Sequence, residues 1–147
     1  MDFDSLNVKD IVVPVDGSPA SLDALALACS LSKRNKGTVF AVYVIEVART
    51  MPLDVELASE AGRGEEVLTR ADEVAEALDY EVSGELLQAR DAGHAIVDEA
   101  IERGVSAIVM GVSYKRTLGE FQLGPTAQYV VKNAPCQVIL CRAAVQE

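Results

Sequence analysis

Residues 10–21 read Asp-Ile-Val-Val-Pro-Val-Asp-Gly-Ser-Pro-Ala-Ser. Asp10–Val15 is a short apolar run rich in β-branched residues, so it is expected to form a strand buried on both faces. Asp16-Gly17 cuts it off, and Ser18-Pro19 follows, a helix-capping residue with a proline suited to the first helical position. Leu22, Leu25, Ala26 and Cys29 then fall at i, i+3, i+4 and i+7, one face of a helix. Lys33, Arg34 and Lys36 occupy its last turn, where the helix dipole favours cations, and Gly37 is expected to supply the stop. Thr38–Ile45 reads as a second buried strand. Strand, helix and strand within this compass make a βαβ unit.

The pattern continues outward. Glu46–Ser59 has no clear period and contains Pro52; it is long for a connection, and such segments often serve as functional lids. Val67, Ala71, Val74, Ala75 and Leu78 mark a second helix with acidic residues outside. Glu81–Leu87 reads as a third strand. Asp91 can cap a third helix carrying Ile96, Val97, Ala100 and Ile101 and closed by Gly104. Val105–Met110 is expected to be the fourth strand, ending at Gly111. Gly124-Pro125-Thr126 opens a fourth helix running to about Asn133, where Ala134-Pro135 prevents continuation. Gln137–Cys141 is the fifth strand. Alternating strands and helices imply a parallel sheet covered by helices on both faces. In a doubly wound sheet, ligands bind outside the carboxyl ends of the strands where the winding reverses. Polar turns follow the first and fourth strands, Asp16-Gly17-Ser18 and Gly111-Val112-Ser113, which places Asp16 and Gly111 at one crevice.

Composition narrows the function. The 147 residues fit one domain, 1–147, and 13 Lys plus Arg against 23 Asp plus Glu give 13 − 23 = −10. That balance argues against a nucleic-acid or anionic-membrane surface, where clustered basic residues supply affinity. Half the residues are hydrophobic, 5% are aromatic and Trp is absent, so the core must be aliphatic. One His and three Cys without a C-x-x-C pair leave little from which to build a zinc site. Free thiols fit a reducing, cytoplasmic setting. The segment MDFDSLNVKD lacks the basic-then-apolar order of a secretion signal, and no apolar stretch reaches the roughly 20 residues of a membrane span.

The segment richest in candidate chemistry is residues 110–126, Met-Gly-Val-Ser-Tyr-Lys-Arg-Thr-Leu-Gly-Glu-Phe-Gln-Leu-Gly-Pro-Thr. It runs from a strand end through a Gly-containing loop to a helix start. Glycines let backbone N–H groups approach an anion, and a helix start adds unsatisfied donors. Ser113, Lys115, Arg116 and Thr126 could add side-chain donors for phosphate. The other reading is that the glycines only make tight turns and Lys115 and Arg116 are solvated; both stand here. The loop contains no G-x-x-x-x-G-K-[ST] element, and Gly62 with Gly64 is no dinucleotide fingerprint, because Val67 occupies the third glycine position.

Taken together, DIVVPVDGSPAS, FAVYVIE, AIVMG and NAPCQVILCR resemble the universal stress protein family over nearly the whole chain. The resemblance implies a single doubly wound α/β domain whose five-stranded parallel sheet, in the order 3-2-1-4-5, is flanked by four helices. In that family the nucleotide-binding members carry G-x2-G-x9-G-[ST] after the fourth strand. Gly111 matches the first glycine and Gly124 the last, with spacing intact. Tyr114 stands where the middle glycine belongs, and Pro125 where Ser or Thr belongs, although Thr126 follows. A Cβ at Tyr114 would strain a positive φ, and Pro125 removes an N–H and a hydroxyl from the presumed phosphate cradle. By resemblance Pro14, Asp16, Val44 and Met110 join Gly111, Ser113, Lys115, Gly124 and Thr126 around ATP or a related adenine nucleotide, with or without Mg²⁺. Asp16 would contact the adenine or ribose side, Val44 would meet adenine through its backbone, and Met110 would line the pocket. Taken alone, Asp16 is also a natural turn or cap residue, and Val44 and Met110 are plain core.

The remaining candidates read blandly. His94 lies near the start of the third helix with no acid or nucleophile placed nearby, as a solvated residue. Cys29 falls on an apolar helix face as a small core residue, and Cys136 and Cys141 flank the last strand with opposite parity. Nothing beyond Asp16 offers a base, a paired metal-binding carboxylate or a nucleophile, so any ATP hydrolysis would be slow. A phosphorylation receiver would need paired acids after the first strand and an Asp ending the third; Asp16 stands alone. The apolar last strand, Gln137–Cys141, should lie at a sheet edge, which is a pairing hazard unless covered. The resemblance implies a homodimer through it. The resulting expectation is a regulatory, nucleotide-binding dimer with at most slow hydrolysis. The alternative is a dimer of the same fold, its phosphate loop degenerate at Tyr114 and Pro125, acting through a regulatory protein partner such as a transporter's cytoplasmic face.

Overall fold

The computed structural model describes residues 7–113, 116–117 and 120–142. Ile11, Val12 and Val13 have no exposed surface in strand β1 (Ile11–Pro14). Their side chains alternate. Ile11 and Val13 pack in one apolar cluster with Leu25, Ala28 and Ala71, while Val12 packs in another with Ile96, Ile108 and Val130. A strand whose two faces are both covered has no polar alternation to show, which is why residues 11–13 are uniformly apolar.

The strands β2 (Val39–Glu46), β3 (Ser83–Ala89), β4 (Ala107–Val112) and β7 (Gln137–Arg142) complete a parallel sheet in the order β3-β2-β1-β4-β7. With β7 as the fifth strand, this is the 3-2-1-4-5 order expected. Helices α1 (Pro19–Asn35) and α2 (Ala58–Ala77) supply residues to the first cluster, and α3 (Ala92–Arg103) and α4 (Pro125–Asn133) to the second. The chain therefore winds one way from β1 and the other way from β4, and the reversal falls between these adjacent strands. Arg103 ties α3 to the sheet: it pairs with Glu85 of β3 and Glu99, and its guanidinium lies 4.2 Å over the Phe40 ring of β2.

Several local expectations need correction. The buried face of α1 is Ala20, Ser21, Ala24, Leu25, Ala28, Cys29 and Ser32, while Leu22 and Ala26 are only half-buried. Small residues let the helix sit close to the sheet. The left-handed residue that ends α1 is Lys36, at φ 59°, and Gly37 serves another purpose. A Cβ on Gly37 would lie 1.9 Å from the Lys9 carbonyl oxygen, so the glycine permits a backbone contact. Helix α2 starts at Ala58 and takes Gly62 and Gly64 into its interior. A Cβ on Gly64 would come within 2.4 Å of Leu86 and 2.7 Å of Tyr43, so this glycine lets α2 settle onto β2 and β3. Strand β3 lies two residues further along than the pattern indicates, and Ile101 of α3 is 57% exposed. Gly111 lies inside β4, not beyond it. Between β4 and α4 the chain forms a small antiparallel hairpin, β5 (Arg116–Thr117) with β6 (Glu120–Phe121), which no hydrophobic pattern announces. Among the described residues no helix is long and apolar enough to cross a membrane.

Candidate functional site

The turn after β1 is built by short-range hydrogen bonds. Val15 N–H still donates to the Val42 carbonyl at 2.9 Å, and then Gly17 turns the chain at φ 87°. Asp16 Oδ1 accepts from Ser18 N–H at 2.9 Å, and Ser18 Oγ caps α1 by accepting from Ser21 N–H at 3.2 Å. Ser21 Oγ donates to the Ser18 carbonyl at 2.9 Å and accepts from Asp16 N–H at 3.3 Å. Partial burial pushes the Asp16 carboxyl up, but hydrogen bonds from Ser18, Ser21 and its own amide outweigh it and leave the group below its ordinary 3.8. Asp16 therefore presents an ionised carboxylate from a rigid turn at neutral pH.

Gly111 meets the same turn from β4. A Cβ there would lie 2.1 Å from the Ala20 carbonyl oxygen and 2.5 Å from Ser21 N. The absent side chain thus gives room to the first turn of α1, and the tips of β1 and β4 come together around Ser21. Val44 and Met110 share the apolar cluster on the α3/α4 face, Met110 buried and Val44 half-buried. Val42 directs its carbonyl toward β1, so by the two-residue alternation of a strand Val44 directs its backbone groups to the same side, past the end of β1. Pro14 is the half-buried last residue of β1. Ser113 is exposed just beyond β4, Gly124 is the N-cap of α4, and Thr126 is half-buried in its first turn with Pro125 before it. Tyr114 and Lys115 lie outside the described residues. The fold thus gathers Pro14, Asp16, Val44, Met110 and Gly111 at the winding reversal, with Ser113 and the start of α4 following from β4.

Two features were not legible in the sequence. A cleft of about 440 Å³ opens on the α2 side of the turn, lined by Asp16, Gly17 and Ser18 and by Arg63, Glu66, Val67 and Arg70. In an otherwise acidic helix, no residue pattern singles out these two arginines. The second feature is how the long connection after β2 is held. Arg90 Nη1 donates to the carbonyls of Ala48 at 2.6 Å and Met51 at 2.8 Å, and Gln88 Nε2 to those of Leu53 at 2.8 Å and Val55 at 3.0 Å. The segment is a strapped loop, with Met51 and Leu53 facing solvent.

His94 is exposed, as expected of a solvated residue, and it also has a partner. Its Nδ1 is hydrogen-bonded to the Tyr129 hydroxyl at 2.8 Å, with ring centroids 4.2 Å apart. Cys29 is fully buried, and burial raises its thiol to about 11. Cys136 and Cys141 pack on opposite faces of the sheet, as their parity indicates. Among the described residues no three His, Cys, Asp or Glu are grouped to hold a metal ion.

The family model described as the universal stress protein family matches residues 7–142. The chain belongs to the universal stress protein family. A universal stress protein of Methanocaldococcus jannaschii is 34% identical over 145 residues, covering 95% of this chain and 85% of the relative. Among solved structures, a universal stress protein from Archaeoglobus fulgidus superposes with TM-score 0.74 at 24% identity, over 90% of this chain and 93% of that one. A second, from the same organism in complex with dAMP, gives TM-score 0.73 at 22% identity, over 92% and 98% of the two chains. For this universal stress protein, likeness at those identities speaks for the fold.

Proposed function

We propose that this universal stress protein is a regulatory module that binds an adenine nucleotide, ATP or AMP, at the crevice between β1 and β4, without significant catalysis. The observation that carries this reading is the convergence of Asp16 and Gly111 on Ser21 at the point where the sheet's winding reverses. Asp16 suits sugar hydroxyls, because an ionised carboxylate only accepts hydrogen bonds. Val44 offers backbone groups past the end of β1 to the base, and Met110 an apolar wall. Ser113, Lys115, Gly124 and Thr126 are the residues to face phosphate. An accompanying Mg²⁺ would take most of its ligands from phosphate oxygens and water, as that ion commonly does. The dAMP complex of the Archaeoglobus relative supports the ligand class.

One observation favours a second reading. Gly111 is accounted for by the packing of α1, and Pro125 occupies the first helical position of α4 without an N–H, so two elements of a phosphate cradle have structural explanations. On that reading the protein acts without nucleotide, through a regulatory partner. Calorimetric titration with ATP and Mg²⁺ separates the two. Binding abolished by Asp16→Ala supports the nucleotide reading; no heat in the native chain, but binding in Tyr114→Gly with Pro125→Ser, establishes the second.

Both readings include a cytoplasmic homodimer. Strand β7 is an edge strand whose Val138 and Leu140 cover one helix layer and Ile139 and Cys141 the other, leaving its outer backbone groups without a strand neighbour in the chain's own sheet. A second copy paired across a two-fold axis removes that edge. Sedimentation at micromolar concentration should show a dimer; monomer alone would contradict the assignment.

A further inference from the structure

The cleft beside Asp16 has a composition that a sugar hydroxyl alone does not explain. Helix α2 carries six carboxylates and two basic residues, Arg63 and Arg70, and both basic residues line the cleft, whereas Glu66 is the one carboxylate of α2 that does. Seven residues apart, the guanidiniums lie on one face of the helix, separated along its axis by two turns, roughly 10 Å. Neither makes an ion pair within 4.0 Å or a hydrogen bond with any described residue. Between them Val67 packs against the turn after β1, 3.0 Å from where a Cβ on Gly17 would lie, so the middle of α2 fronts Asp16-Gly17-Ser18. The formal charges lining the cleft cancel, in a protein whose net charge is −10. At about 440 Å³ it falls within the roughly 300–1,000 Å³ of small-molecule sites.

We infer that the nucleotide recognised here carries a second phosphate on its ribose, held by Arg63 and Arg70 while Asp16 takes the neighbouring sugar hydroxyl. The inference rests on the adenine-nucleotide reading above and names the ligand class within it. A carboxylate wall facing two guanidiniums matches a sugar bearing one hydroxyl and one phosphate monoester: the carboxylate accepts from the hydroxyl, and guanidinium N–H groups donate in a fork that fits phosphate oxygens. A nucleotide phosphorylated only at its 5′ end, with that phosphate at the α4 side, would leave both arginines without an anionic partner.

The test is calorimetric titration of the full chain with AMP and with adenosine 3′,5′-bisphosphate, repeated on the Arg63→Ala, Arg70→Ala double variant after its thermal unfolding is shown to match the native protein. The bisphosphate should bind about tenfold or more tightly than AMP, the scale of one charge-assisted hydrogen bond. In the double variant the two affinities should converge while that for AMP stays unchanged. Equal affinities in the native chain, or a bisphosphate preference that survives in the double variant, overturn this inference and leave the adenine-nucleotide reading standing. Binding of neither compound overturns both.

Discussion

Asp16 and Gly111 meet on a single residue: the Asp16 amide donates to the Ser21 hydroxyl at 3.3 Å, and Gly111 lies so close that a Cβ on it would come 2.5 Å from Ser21 N. The loop after β1 and the end of β4 are therefore one packed unit, held together by the first turn of α1.

Gly111→Ala should consequently cost stability with no ligand present. The added methyl would press on the Ala20 carbonyl, which is backbone and cannot rotate away, so a loss of about 1–3 kcal/mol or more is expected from overpacking. Urea unfolding of the variant checks it. An unchanged midpoint would mean that β4 and α1 are not in contact at this glycine.

The Asp16 carboxyl is held below its ordinary 3.8 in the folded chain, so its contribution favours folding above that value and fades as pH falls through the lower folded value. Asp16→Ala should therefore destabilise the protein at neutral pH, and the gap between variant and native should close in acid below pH 3.8. Thermal unfolding from pH 7 downward measures this. A gap that widened in acid would reverse the sign and contradict the turn's hydrogen bonding.

Lys36 and Gly37 make opposite predictions at adjacent positions. Lys36 holds φ 59°, so Lys36→Gly should stabilise by on the order of 1 kcal/mol. Gly37→Ala should destabilise by about 1–3 kcal/mol or more, because its methyl would meet the Lys9 carbonyl. Paired denaturation curves check both directions.

How much of this was open to a reader of the sequence follows from particular residues. The β-branched run at 11–13, the cap at Ser18 and the Pro125 helix start read correctly, because each depends on local chemistry. The adjacency of the β1 and β4 ends was legible too, since Asp16-Gly17 and Gly111 each follow or end an apolar run. Close approaches were not. Gly37 reads as a helix stop and Gly64 only as a failed dinucleotide fingerprint, and their purpose is fixed by Lys9, Tyr43 and Leu86, distant in the chain. No pattern in the sequence singles out Arg63 and Arg70 on their acidic helix, and only the fold sets them against Asp16. The titration of Tyr114→Gly with Pro125→Ser reports what the tyrosine does to the phosphate side.

The connection after β2 should behave as a strapped loop and not as a freely opening lid. Removing the strap with Arg90→Ala should speed proteolytic cleavage between residues 47 and 55, while the global unfolding free energy changes by no more than about 1 kcal/mol. Cleavage no faster than in the native protein would show that Gln88 alone suffices.

The central claim, that adenine nucleotide binds at the winding reversal, is tested most directly by amide chemical shifts in an NMR titration with AMP. Shifts should concentrate at Asp16–Ser18, Val44, Met110–Ser113 and Gly124–Thr126. Shifts absent at millimolar AMP, or confined elsewhere such as Cys29–Arg34, would contradict it.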